Sequence, residues 1–480
     1  MEKHRPRLLR RAVEAAGRFD STNLEAAVVL AIGIAFCAGV AHHWGPLNGG
    51  GQLTRWLQLK HWAWAWRNGS ILKVAALLFA PFTLIAWVLW RIEKDPMPAR
   101  PRLFLGLLAL SNFLLQTLAM LADRQGVQRV REIVASPLAT SYFDDAMAIQ
   151  RPLEWLGHFH TAHLGLHSST HPPGPILFYY LFFKLFGPAM GALIGGFAVG
   201  LLASAGVPLI YTFAGLWTSD QRARLTASAF YALLPALTVF FPEFDQIYPI
   251  LTMLVILFWV MALRVLPEAS RHAFCTGALV FVSTFFAYNL LLIGVFLAYY
   301  GLYWLWRQGW TWRAVATLVR TSAIALAVCA GLYAVLWLAS GYNPGASFGH
   351  AISHQAVRAA HLNRPYGIYA ALDPYDFFLG TGIIALPVLL FHLQRLLKHF
   401  DTKRTDTALT LIGLGTILTV DVSGLLRGEV ARVWLFLQPL VAVPVALELS
   451  RLSWPWKLSI FTLQWWIVVC VKARMTFVVP

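Results

Sequence analysis

Apolar runs of membrane-crossing length constrain this chain more than any other feature. "LEAAVVLAIGIAFCAGVA" (24–41), "ILKVAALLFAPFTLIAWVLW" (71–90) and "LFLGLLALSNFLLQTLAML" (103–121) come first, and more follow. About 20 such residues cross a hydrocarbon core as a helix. Only helices and closed barrels satisfy their backbone there, and the alternating pattern of a barrel is absent. Charged residues make up 12% of the chain, against about 25% in a soluble domain. The expected fold is therefore all-α: a polytopic helical membrane protein of about 13 transmembrane helices, with twelve to fifteen allowed. It is read as one domain over 1–480, with amphipathic juxtamembrane helices in its loops, no separate soluble domain and no evident repeat.

The net charge of +16 fits a membrane better than nucleic acid, because Lys and Arg collect in short loops between apolar runs. The N-terminus "MEKHRPRLLRRA" is basic. No small-residue cleavage site follows the first run, so an uncleaved helix is expected. Cys37, Cys275, Cys329 and Cys470 lie inside apolar runs and read as small buried hydrophobes, not as a disulfide set or a metal site.

The basic loops set a threading. With 91–102, 264–272, 307–313 and 394–405 in the cytoplasm, the segments 122–172, 241–249, 340–376 and 421–434 fall on the outer face. Two places resist. The loop 42–70 should be outside yet carries Arg55, Lys60 and Arg67. The threadings from the two ends meet in 173–241, where an odd number of crossings is expected.

Four polar clusters land on the outer side, where charge beside a greasy bundle is costly unless paired or solvated. Asp144 and Asp145 lie in "SYFDDAMAIQ" (141–150), flanked by apolar residues at helical spacing. An acid held at such an interface can act as a general base or hold a divalent cation; a solvated loop pair is the plain alternative. In "HFHTAHLGLHSSTHPPGP" (158–175), His160, His163 and His167 share a helix face. Interfacial histidines are favoured there over zinc, since no acid or cysteine completes a site. Pro172, Pro173 and Pro175 mark a helix start, placing His171 at an N-terminus where phosphate is welcome. Glu243 and Asp245 in "PEFDQIYP" form a second acid pair, with ordinary N-capping by Asp245 as the alternative. In "RGEVARVW", Arg427 and Arg432 bracket Glu429. Arg suits bidentate phosphate contacts; an internal ion pair is the alternative. In the loop 340–376, His350, His354, Arg358 and His361 fall near one face of a short amphipathic helix, suited to an anionic head group or to the bare interface.

These motifs, in this order, resemble the C-type membrane glycosyltransferase superfamily (GT-C), which includes protein O-mannosyltransferases and aminoarabinose and arabinofuranose transferases. "THPPGPILFYYLFFKLFG" is similar to its "HPPL…LFG" stretch. "RGEVARVWLFLQP" is similar to its late "ER" followed by an aromatic-apolar run and a proline. The similarity runs from about 140 to 440. It implies a sugar donor on a polyprenyl phosphate and an acid of the first large outer loop as base, a role falling on Asp145 or Asp144. His171 would lie near the lipid phosphate, Asp245 and Glu243 would supply the second acidic motif, and Arg427, Glu429 and Arg432 would line the donor-phosphate site. His350, His354 and Arg358 would belong to a substrate loop. A divalent cation (Mg or Mn) at Asp144 and Asp145 is left open. Members often place the catalytic loop after the first span, whereas three spans precede it here.

The resemblance implies transfer of the sugar to a lipid, glycan or protein acceptor at the outer face of a bacterial inner membrane, with membrane lipids and no nucleic acid as partners. A surface-polysaccharide polymerase or ligase and a lipid-linked substrate transporter or flippase are the alternatives. A transporter would be expected to show repeats and broken helices near the midplane.

Overall fold

The computed structural model describes residues 21–43, 65–95, 101–265, 268–362 and 364–476. Among them the chain is mostly helical, and the strands present are one two-residue antiparallel pairing, Ala65–Trp66 with Met475–Thr476. Among the described residues eight helices are long and apolar enough to cross a membrane: Thr22–Ala41, Ile71–Lys94, Pro101–Met120, Gly174–Ala214, Phe244–Arg264, Tyr288–Arg307, Trp312–Ser340 and Thr405–Ser423. A ninth crossing is available if Tyr366–Thr381 and Ala385–Lys398, bent by 103° from one another, form one span. Many large apolar side chains face outward, with Leu72 79%, Trp312 81% and Leu338 76% exposed. Such a surface is stable against lipid tails and not against water.

Buried amides fasten the helices together. Asn112 donates to the Ala232 carbonyl at 2.8 Å, Gln116 to Ser204 Oγ at 3.0 Å, and Ser204 to Asn112 Oδ1 at 2.9 Å. Interhelical hydrogen bonds of this kind act where lipid removes the hydrophobic drive for association. At the bend of the broken span the freed carbonyl of Thr381 accepts from Gln464 Nε2 at 3.0 Å, as irregular backbone at that depth requires.

Ion pairs define two polar ends. Lys457 and Lys472 sit near opposite ends of the helix Trp454–Arg474, about 22 Å apart at 1.5 Å per residue. Lys457 reaches Glu93 at 2.8 Å, and Glu93 also pairs with Arg222. Arg395, paired with Glu25 and with Glu448, and Arg307, bonded to the Lys403 carbonyl, gather at the same end. Lys472 reaches Asp123 at 3.0 Å at the other end, where Arg67 joins it at 2.6 Å. Arg67 therefore lies with the site-bearing segments, and its charge is neutralised internally, which is why the basic-loop rule misplaces it. Arg55 and Lys60 lie outside the described residues.

The segment 173–241 corrects two expectations. His171 and Glu243 line one cavity, while Arg222 lies at the opposite end, so the number of crossings between them is even, not odd. The apolar run from Gly174 to Ala214 is also not straight. Gly187 has φ 72° and ψ −179°, a conformation essentially reserved for glycine. Beyond it the chain folds back: a Cβ on Gly191 would lie 2.7 Å from the Phe182 carbonyl, and one on Gly195 would lie 3.0 Å from the Tyr179 ring. Pro173 and Pro175 do open a helix, but that helix, 174–186, is a short arm beside the cavity, and the long helix follows the turn.

Candidate active site

A cavity of about 320 Å³ opens at the Lys472 end of the bundle. It gathers residues far apart in sequence: Tyr142, His167 and His171 from the first large loop, Glu243 and Asp245 from the second acidic motif, Arg358 and Arg364 from the 340–376 region, and Arg427, Glu429 and Arg432 from the late motif.

Arg432 is the centre. It lies on the short turn Val430–Val433, entered through Glu429 in the left-handed region at φ 57°. Its guanidinium meets Glu429 at 2.7 Å, Glu243 at 3.4 Å and Asp245 at 3.8 Å. Burial works against its charge, yet the three carboxylates raise its pKa above the ordinary Arg value. Burial would also raise Glu429, but Arg432, Arg364 and Arg358 hold it down at about 2. Glu243 goes the other way: burial, with Asp245 and Glu429 adding to it, pushes it up to about 8 despite Arg432. Four guanidinium groups thus face three carboxyls of which one is largely neutral at pH 7, and the cavity keeps a positive excess. It suits an anion.

The other arginines divide the work. Arg427 uses Nε and Nη1 on the carbonyls of Gly424 and Arg364, at 2.9 and 2.8 Å. Arg364 answers through Nη1 to the Arg427 carbonyl at 2.5 Å and through Nη2 to Glu429 at 2.8 Å. This clasp makes Arg427 more a strut than the free phosphate ligand expected of it. Arg358 lines the cavity and makes no hydrogen bond or ion pair among the described residues.

His171 is neutral, its pKa lowered by burial and by Arg432 and Arg358 against the opposing pull of Asp245. Its Nδ1 lies 2.8 Å from the His167 carbonyl. A carbonyl only accepts, so the proton is on Nδ1 and Nε2 carries a lone pair. In this tautomer His171 offers an acceptor through Nε2, and it lines the cavity as a residue near a bound phosphate would. His167 lies deeper, its Nε2 bonded to the Leu138 carbonyl at 3.1 Å, and burial pushes its pKa down to about 3.

Asp144 and Asp145 do not line this cavity. Asp144 is exposed. Both Asp145 oxygens accept from the Gly165 amide, at 3.1 and 3.2 Å, and burial raises its pKa. Ser141 Oγ accepts from the amides of His167 and Ser168 at 3.1 and 3.0 Å. A Cβ on Gly165 would stand 2.6 Å from Ser141 Cβ, so only glycine allows this approach. "SYFDDA" thus staples the histidine loop in place. Among the described residues no three His, Cys, Asp or Glu side chains group to hold a metal ion. His160, His163 and His167 form no such group.

In the helix Pro344–Leu362, the face reaching the cavity is Phe348, Ala351, Ile352, Gln355 and Arg358, at the i, i+3, i+4, i+7 spacing of an amphipathic stripe. His350 and His354 pair with each other, rings 4.3 Å apart, and stay out of the lining. Sequence reasoning missed Arg364, although the argument applied to Arg427 and Arg432 covers an arginine before Pro365 equally well. It also missed Tyr142, whose ring stands edge-on to His171 at 5.5 Å; nothing in its context marks it.

A second cavity, about 520 Å³ and almost wholly apolar, lies below, among the helices containing Trp259, Val280, Leu297 and Leu326. Leu291 lines both cavities, so a polar chamber adjoins a greasy one. Fold and site together define a helical membrane protein with an anion-suited acid–arginine chamber at one end. No protein-family model and no curated protein matches the chain.

Proposed function

We propose that this protein is a GT-C-like membrane glycosyltransferase that moves a sugar from a polyprenyl-phosphate donor to an acceptor at the outer face of a bacterial inner membrane. The observation that carries the reading is the Arg432 chamber, where cations, carboxyls and a neutral imidazole meet beside an apolar cavity. A lipid phosphate with a greasy tail needs both environments at once. The chain then crosses the membrane thirteen times: the eight long helices, the bent pair, and the shorter or more polar Gln221–Val239 region, Ala269–Phe286, Gln438–Arg451 and Trp454–Arg474.

In the reaction, the bond between the sugar C1 and the phosphate oxygen breaks, and its electron pair leaves with the phosphate. Arg358, Arg364 and Arg432 stabilise that charge in a site of low dielectric. The acceptor hydroxyl oxygen bonds to C1 and its proton passes to a carboxylate. Asp245 takes that part, because it lines the cavity and its carboxylate is held, among the described residues, only by the 3.8 Å contact to Arg432. Asp145 then keeps the loop in place. His171 Nε2 accepts from a hydroxyl of donor or acceptor.

The test is reconstitution in lipid nanodiscs with polyprenyl-phosphate sugars, following release of polyprenyl phosphate by mass spectrometry with lipid, glycan and protein acceptors. Release that is lost in Arg432→Lys supports the reading. The broken span gives one observation in favour of a flippase. Movement of a fluorescent lipid-linked sugar across proteoliposomes with its glycosidic bond intact, and no release with any acceptor, would establish that alternative instead.

A further inference from the structure

The arginine loop is a strained piece of backbone. Gly424, Gly428 and Glu429 all have positive φ, at 62°, 73° and 57°. Glu429 carries a Cβ that disfavours this region, and something must hold it. Beneath the loop runs Tyr366–Thr381, the first half of the broken span. Asp373 Oδ1 accepts from the Gly428 amide at 3.1 Å, and Asp376 Oδ2 accepts from the Ala431 amide at 3.1 Å. Both acids are buried, 1% and 0% exposed.

A third residue completes the match. Gly380 is one turn beyond Asp376, and a Cβ there would stand 2.7 Å from the Ala431 carbonyl. Asp373, Asp376 and Gly380 fall at i, i+3 and i+7, one face of the helix. That face captures two amides and admits one carbonyl of the segment carrying Arg427, Glu429 and Arg432. The fit at Gly428 is equally tight: a Cβ there would stand 2.9 Å from Arg364 Cζ and 2.9 Å from the ring of Tyr369, one turn before Asp373 on the same helix. Buried carboxylates in a membrane bundle are expensive. A surface turn would satisfy these amides with water at no such cost.

We propose that Asp373 and Asp376 are positioning residues: they hold the 427–432 loop by its amides in the left-handed path that turns Glu429 and Arg432 toward the cavity. The half-span and the arginine loop then behave as one body, and the geometry offered to an anion is set by side chains that never touch it. The effect on ligand rests on the lipid-phosphate reading above; the effect on the loop does not.

Two measurements on full-length protein in nanodiscs separate these. Hydrogen exchange of peptides covering 426–434 reads the loop, and titration with a C55 polyprenyl phosphate reads the anion site. Loss of one buried hydrogen bond is worth about tenfold. Asp373→Ala and Asp376→Ala should therefore speed loop exchange and weaken lipid-phosphate binding by about that factor each. Asp373→Asn and Asp376→Asn keep an acceptor oxygen, so they should restore loop protection and bind within about threefold of wild type. A merely structural role would instead lower the melting temperature without this Ala-against-Asn split in affinity. Wild-type exchange of the loop in both Ala variants overturns the proposal, and so does an opened loop in the Asn variants if the Ala variants fail to fold. Failure of the wild-type protein to bind the lipid phosphate removes the ligand reading alone, while loop exchange still decides the positioning role.

Discussion

The Arg432 guanidinium stands 3.4 Å from the buried carboxyl of Glu243, and that contact joins the late arginine loop to the connector ahead of the helix Tyr248–Arg264. Lysine would keep the charge but lose the planar fork that reaches Glu429, Glu243 and Asp245 together. Arg432→Lys is expected to lower polyprenyl-phosphate release by about 100-fold, the scale seen when one transition-state donor is removed. Activity within twofold of wild type would count against Arg432 as the phosphate anchor.

Asp245 and Asp145 give opposite expectations for the same substitution. Asp245→Asn removes the proton acceptor and should cost about 100- to 10,000-fold in turnover while donor binding persists. Asp145→Asn retains an oxygen for the Gly165 amide and should stay within about tenfold, with Asp145→Ala clearly worse. The reverse order, measured side by side in nanodiscs, would return the base to the first loop.

Glu243 makes the anion site pH-dependent. Its pKa in the folded protein is raised by burial to about 8, so the folded state holds this proton where the unfolded chain has released it. Its contribution to stability is intact below the unfolded carboxylate pKa and declines as pH rises toward about 8. Over the upper part of that window the chamber gains a negative charge, and affinity for polyprenyl phosphate should fall between pH 7 and 9. Glu243→Gln should flatten the profile. A wild-type affinity that rises over this range would refute the assignment.

Sidedness is open to chemical labelling. Ala356 and Lys403 are exposed at opposite ends of the bundle. In a background without the native cysteines, Ala356→Cys should react with an impermeant maleimide in intact cells, and Lys403→Cys only after permeabilisation. The inverted pattern would place the chamber in the cytoplasm, in reach of nucleotide sugars, and remove the reason for a lipid-linked donor.

Gly187→Ala tests the folded-back arm. The turn lies in open space, so the penalty is purely backbone and should be roughly 1–3 kcal/mol of thermal stability. An unchanged melting temperature would mean that the arm does not depend on that turn.

What could be read from the residues alone follows a physical line. Charge in a greasy context is visible, so His171, Glu243, Asp245, Glu429 and Arg432 stood out and do meet in one chamber. The purpose of a charge is not visible. Asp145 looks the same whether it captures an amide or a proton, and only the approach of Gly165, far along the loop, separates the two. Arg364 was hidden because it follows a histidine-rich stripe that drew attention to the wrong face. The arm at 174–186 was hidden because apolar content does not record direction; the Gly187–Pro188 pair was the available sign. Arg67 misled because counting loop charges ignores partners such as Asp123.

The seam between 65–70 and 472–476 has a consequence for how the protein is made. Arg67 and Gly69 donate their amides to the carbonyls of Arg474 and Ala473, at 2.8 and 2.9 Å, and Gly33 of the first helix packs against Leu463 of the helix that ends there. Synthesis runs from the N-terminus, so the first helix and the segment after it leave the ribosome long before their partners exist. They must wait in the insertion machinery or in lipid with those amides unsatisfied and with Asp123 lacking its Lys472 partner. Closing the bundle is thus a late event, and a ribosome stalled before residue 454 would leave a chain that is inserted but unsealed, with its earliest segment exposed to membrane proteases.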